Sequence, residues 1–72
     1  MADIEVLAVV ALLEDVTEHG IARGQVGTVV ETLGPNVYEV EFSDDKGQTY
    51  ASVALRAEQL LRLRHQPRHE AA

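Results

Sequence analysis

The sequence predicts an all-β domain: a small five-stranded SH3-like barrel with one short 3₁₀ turn and a flexible C-terminal tail. Three observations predict it. Gly20, Gly24 and Gly27 cluster just ahead of the β-branched run Thr28-Val29-Val30, so a glycine-rich turn feeds a strand. Residues 37–42 alternate cleanly, placing Tyr38, Val40 and Phe42 on one face and Glu39 and Glu41 on the other. Turn signals then recur every few residues, at the spacing of short antiparallel strands.

Taken in order, residues 4–13 are the least regular segment. Ile4, Val6, Ala8, Val10 and Leu12 alternate with a set that is nearly as apolar, which fits a strand buried on both faces or a short helix. The β-branched Ile4, Val6, Val9 and Val10 favour the strand. Residues 14–20 break the pattern with acids and a glycine and read as a long surface loop. A turn through Arg23-Gly24-Gln25-Val26-Gly27 leads to a strand over residues 28–33, with Gly27 marking a bulge or a close backbone crossing.

Gly34-Pro35-Asn36 is a turn, because proline fixes φ and asparagine tolerates φ > 0. Ser43-Asp44-Asp45-Lys46-Gly47 closes a hairpin, with Gly47 at the left-handed position. The returning strand covers residues 48–55, with Thr49, Ala51, Val53 and Leu55 on one face. Residues 56–59 form the 3₁₀ turn, and residues 60–63 a last short strand able to pair with the first. The barrel thus occupies residues 1–63, and the proline-interrupted polar segment 64–72 is expected to be a flexible tail.

The chain has 72 residues, enough for one domain, and no cysteine, which removes disulfides and thiolate metal sites. Its charge is uneven. Residues 1–60 hold eleven acids against Arg23, Lys46 and Arg56, a net of −8, whereas residues 61–72 hold three arginines against Glu70, a net of +2. So acidic a body repels phosphate backbones; its charge either attracts a basic protein partner or serves solubility alone. The apolar run from Val6 to Leu13 is far shorter than the roughly 20 residues of a membrane helix, and acids precede it where a signal peptide carries Lys or Arg. A cytoplasmic location is expected, with no membrane partner.

Leu12-Leu13-Glu14-Asp15, His19-Gly20, the stretch from Arg23 through Gly27 to Thr28-Val29-Val30-Glu31, and Tyr38-Glu39-Val40-Glu41-Phe42 together resemble a family of small bacterial proteins, domain-of-unknown-function family 4926. The likeness covers roughly residues 4–63 and implies the barrel and a bacterial setting. More distantly, Gly24-x-x-Gly27-x-Val29 is similar to the glycine–valine core of KOW-type domains. It is also similar to SH3-like subunits of ferredoxin–thioredoxin reductase and of the photosynthetic NDH complex. Those likenesses imply a barrel used as a docking surface, with a basic or redox protein as partner. An antitoxin or immunity role, opposing a small toxin-like protein, is the sharpest form of that expectation.

Among candidate sites, Glu39 and Glu41 with Glu31 on the neighbouring strand would form an acidic stripe, a partner-binding surface or an ordinary solvated face. Catalysis by such carboxylates needs a pocket that perturbs one of them, and no nucleophile–base pair, metal cluster or cofactor motif is visible, so no enzyme and no cofactor is expected. Glu14, Asp15 and Glu18, and Asp44 with Asp45, lack the ligand spacing of a calcium loop. His19 is a lone loop histidine, and Pro67 separates His65 from His69 and disfavours a helix that would pair them on a metal. Arg62, Arg64 and Arg68 are the basic cluster; without interleaved aromatics they make a poor nucleic-acid site. Gly20, Gly24, Gly27, Gly34, Pro35 and Gly47 are read as shaping turns, since no helix follows them to make a phosphate loop. Two alternatives stand beside protein docking: a KOW-like RNA- or ribosome-associated domain, and a self-assembling protein that forms homo-oligomers through Val6 to Leu13.

Overall fold

The structure, a computed structural model, describes residues 4–64. Its elements are β1 (Val9–Leu12), a 3₁₀ turn η1 (Thr17–His19), β2 (Val26–Gly34), β3 (Val37–Ser43), β4 (Thr49–Arg56), a second 3₁₀ turn η2 (Ala57–Gln59) and β5 (Leu60–Arg62). All five strands join one antiparallel sheet in the order β4-β3-β2-β1-β5. A four-strand meander, a 3₁₀ turn and a last strand that folds back onto the first make up the topology of an SH3-like barrel.

Alternation along each strand builds the core. Val10 and Leu12 of β1, Val29 of β2, Tyr38, Val40 and Phe42 of β3, Val53 and Leu55 of β4 and Leu60 of β5 are all buried on one side of the sheet. Gly27 is the tight point. A Cβ there would lie 2.8 Å from the Glu41 carbonyl oxygen, 2.8 Å from Val40 Cγ1 and 2.9 Å from Phe42 Cδ1. Gly27 is the register partner of Phe42, so the phenyl ring packs where a side chain would otherwise stand. The close approach expected from sequence lies here, while the breaks in pairing lie further on, between Val29 and Glu31 and between Thr32 and Gly34.

Several boundaries differ from the sequence reading. The first strand is Val9–Leu12 and not residues 4–13. Ala8 donates to the Glu5 carbonyl at 2.9 Å and Leu7 takes φ +77, so the chain turns before the strand begins. Val6 and Leu7 are exposed in that turn while Ile4 and Ala8 dip into the core, so the run from Val6 to Leu13 is not a continuous two-faced strand. β2 starts earlier than expected, at Val26, and β4 is shifted by one residue to include Arg56. Two 3₁₀ turns are present in place of one, because Thr17–His19 winds inside the segment read as open loop. The expected tail from His65 onward, with His65, His69 and Arg68, lies outside the described residues.

Gly27→Ala is expected to cost about 1–3 kcal/mol, the usual range for overpacking a filled site. Gly34→Ala is the control: open space surrounds that glycine, and the change should stay within about 0.5 kcal/mol. Urea unfolding of both variants checks the contrast.

Candidate functional site

Two carboxylate-bearing surfaces flank β4. The first is the outer face of β2 and β3. Glu31 sits directly opposite Glu39 in the ladder, and Glu41 follows on the same face of β3 opposite Thr28. The sequence-predicted stripe of Glu31, Glu39 and Glu41 is therefore one contiguous patch. Among the described residues the ion pairs are Arg56 with Glu58 at 3.2 Å and Arg62 with Glu5 at 3.7 Å, so no cation pairs with the patch. Among the described residues its side-chain partner is Ser52, whose hydroxyl donates to Glu39 Oε2 at 2.5 Å. Like charges directly opposite in a ladder oppose pairing, so the fold carries Glu31 against Glu39 at some cost.

The second surface is a cleft of about 330 Å³ between the first loop and β4. Glu14, Asp15 and Glu18 line one wall, and residues 53–56 of β4 line the other. The loop wall is held open by specific bonds. Val16 and Ile21 are buried and pair as a two-residue bridge, each donating its N–H to the other's carbonyl at 2.8 and 3.2 Å. Gly20 turns the chain between them in the left-handed region at φ +67. Asp15 Oδ1 accepts from the Arg23 N–H at 2.8 Å, which fixes the loop's far side. The sequence predicts a surface loop over this segment. The local signal for the bridge is a pair of β-branched residues, Val16 and Ile21, five apart in polar surroundings.

Gln59 closes one end of the cleft. It is the buried polar side chain among the described residues, and both ends of its amide are used. The Arg56 N–H donates to its Oε1 at 2.8 Å, and its Nε2 donates to Glu14 Oε2 at 3.1 Å. The Leu13 N–H adds a bond to its carbonyl at 2.8 Å. A single glutamine thus ties the start of the loop to the end of β4.

The remaining candidates fall into structural places. Asp44 Oδ1 accepts from the N–H groups of Lys46 and Gln48, both at 2.9 Å, which makes it a turn cap. Gly24 and Gly47 take φ +92 and +82, and Pro35 precedes Asn36 at φ +61. Gly34 ends β2 with open space around it and an ordinary φ. His19 ends η1 at the mouth of the cleft, and Arg62 and Arg64 lie beyond the core on the last strand's side. Among the described residues no three His, Asp or Glu side chains are disposed to hold a metal, and no helix is long and apolar enough to cross a membrane. A third surface is apolar: Leu61, Ala11 and Val26 align across β5, β1 and β2 on the outer face, with Leu61 and Val26 exposed.

The sequence model described as "Domain of unknown function (DUF4926)" matches residues 6–62. No curated protein and no solved structure matches the chain.

Glu31→Lys is expected to stabilise the fold by about 0.2–1 kcal/mol by turning the opposed pair with Glu39 into an attractive one. Thermal unfolding at low salt measures it, and the gain should shrink as salt is added.

Proposed function

The chain belongs to the DUF4926 family, and we propose that it is a non-catalytic protein-docking domain whose acidic outer face receives a basic protein partner. The observation that carries this reading is the contiguous patch of Glu31, Glu39 and Glu41, held in register with no ion pair to a cation among the described residues. A surface that keeps like charges opposed spends folding stability on a field. Such a field raises encounter rates with a positively charged partner and rejects acidic ones. Antitoxin or immunity action is the sharpest form of the reading, because masking a basic toxin-like protein needs a complementary surface and no chemistry. The setting is the cytoplasm.

The same distribution disfavours RNA. Of the described cations, Arg56 and Arg62 are already paired with carboxylates. A KOW-like role would have to overcome the body's net −8 without an aromatic platform beside its arginines. A second reading, self-assembly, is favoured by the exposed apolar row of Leu61, Ala11 and Val26, which a twofold contact would cover.

Capture from the native host after nuclease treatment tests the docking reading, with the wild-type chain and the Glu39→Lys/Glu41→Lys variant run side by side. The expected result is one stoichiometric basic protein on the wild type, reduced roughly tenfold on a variant that keeps its fold by circular dichroism. Partners that vanish with nuclease, or a partner held equally by both chains, would contradict it. Light scattering across protein concentration tests self-assembly: a constant monomer mass excludes it.

A further inference from the structure

β4 ends the sheet, and the direction in which its backbone points follows from bonds at two distant places. Val29 donates its N–H to the Ala8 carbonyl at 2.9 Å and accepts from the Leu7 N–H at 2.7 Å, so both its groups turn away from β3. Antiparallel ladders alternate bonded and non-bonded pairs. Val40, opposite Val29, therefore turns its groups toward β4 and meets Val53. The residues on either side, Ser52 and Ala54, must turn theirs outward. The other end of the strand agrees: Arg56 gives its N–H to the Gln59 side chain and not to Val37, its register partner. Pairing is unbroken from Val37–Arg56 to Phe42–Ala51, so the alternation carries through.

Ser52 and Ala54 thus point backbone donors and acceptors away from the sheet, and among the described residues no backbone bond engages them on that side. Residues 51–55 contain no proline, charged side chain or bulge, devices that guard an edge, and Arg56 at the strand's end is paired with Glu58. Beside this edge the first loop stands off across the cleft.

We propose that this edge takes an extended, basic segment of the partner as an added sixth strand, with lysine or arginine at alternate positions. The inference rests on the docking reading and deepens it. An added strand lies about 4.8 Å from β4. Its outer-facing side chains look across Ala54 and Ser52, both small, at Glu39 and Glu41, which are the register partners of those two residues. Glu14 and Glu18 face the cleft from the loop side. Main-chain bonds supply affinity and the two carboxylate sets select charge. A second copy of this chain would bring one acidic body against another at the same edge, so charge assigns the edge to a partner of opposite sign.

The test uses the full chain, ¹⁵N-labelled, with an end-capped hexapeptide of alternating lysine and valine, and its glutamate–valine counterpart as control. Saturation with the lysine peptide should slow amide exchange at Ser52 and Ala54 by about tenfold or more, as new strand bonds form. The glutamate peptide should not. Ala54→Pro removes an N–H that the ladder does not use and should abolish the effect. Glu18→Lys, across the cleft from the edge and in no side-chain bond among the described residues, should weaken binding about fivefold even if the proline variant does not fold. Equal binding of the two peptides, protection on other strands, no binding at millimolar peptide, or protection of Ser52 and Ala54 that rises with protein concentration alone would each overturn the proposal. If these occur while a basic host partner is still captured through Glu39 and Glu41, strand addition falls and the docking reading stands. If that capture also fails, both fall.

Discussion

The structure depends on a side chain that is absent. Gly27 lets Phe42, the only phenylalanine, close over β2 at a distance that a Cβ would forbid. With no disulfide to fall back on, a chain of this size holds together only if its core is filled, and Phe42 with Val10, Val29 and Val40 fills the centre without exposure. β2 must run close to β3 at Gly27 and then release it through the irregularity between Val29 and Glu31. That irregularity restores Glu31 to the outer face, opposite Glu39. The packing of the core and the layout of the acidic patch are thus set by the same stretch of backbone.

The first loop depends on the core in a second way. Val16 and Ile21 anchor it as two buried pegs, and Gln59 ties its base to the end of β4. Between these fixed points the loop spans a gap and does not collapse onto the strand. Glu14, Asp15 and Glu18 resist such a collapse, because carboxylates have little to gain from burial against Val53 and Leu55. The cleft is a consequence of polar loop residues held between apolar anchors.

Much of the fold was legible in the sequence, for reasons tied to particular residues. The period-two alternation of Tyr38, Val40 and Phe42, the turn chemistry of Pro35-Asn36 and of Asp44 to Gly47, and the return of residues 60–62 to the first strand are local or nearly local signals. The first segment departs from the sequence expectation because apolar content does not report backbone handedness: Leu7 at φ +77 ends a run that composition alone extends through. The acidic patch followed from alternation once β2 and β3 were paired. The cleft did not. It exists between a loop and a strand edge some forty residues apart in sequence, joined through the Glu14–Gln59 contact, and no local pattern announces such a meeting. The free backbone of Ser52 and Ala54 was equally hidden, since it follows from hydrogen-bond phase and not from residue type.

On the docking reading, charge brings a basic protein to this acidic face. The most direct measurement is the association rate between the full chain and its captured partner as ionic strength is raised. Electrostatic docking predicts a rate that falls steeply with added salt while the dissociation rate changes little. An association rate that stays flat across the same range would mean that the carboxylates of β2, β3 and the first loop do not guide the encounter, and electrostatic docking would fall.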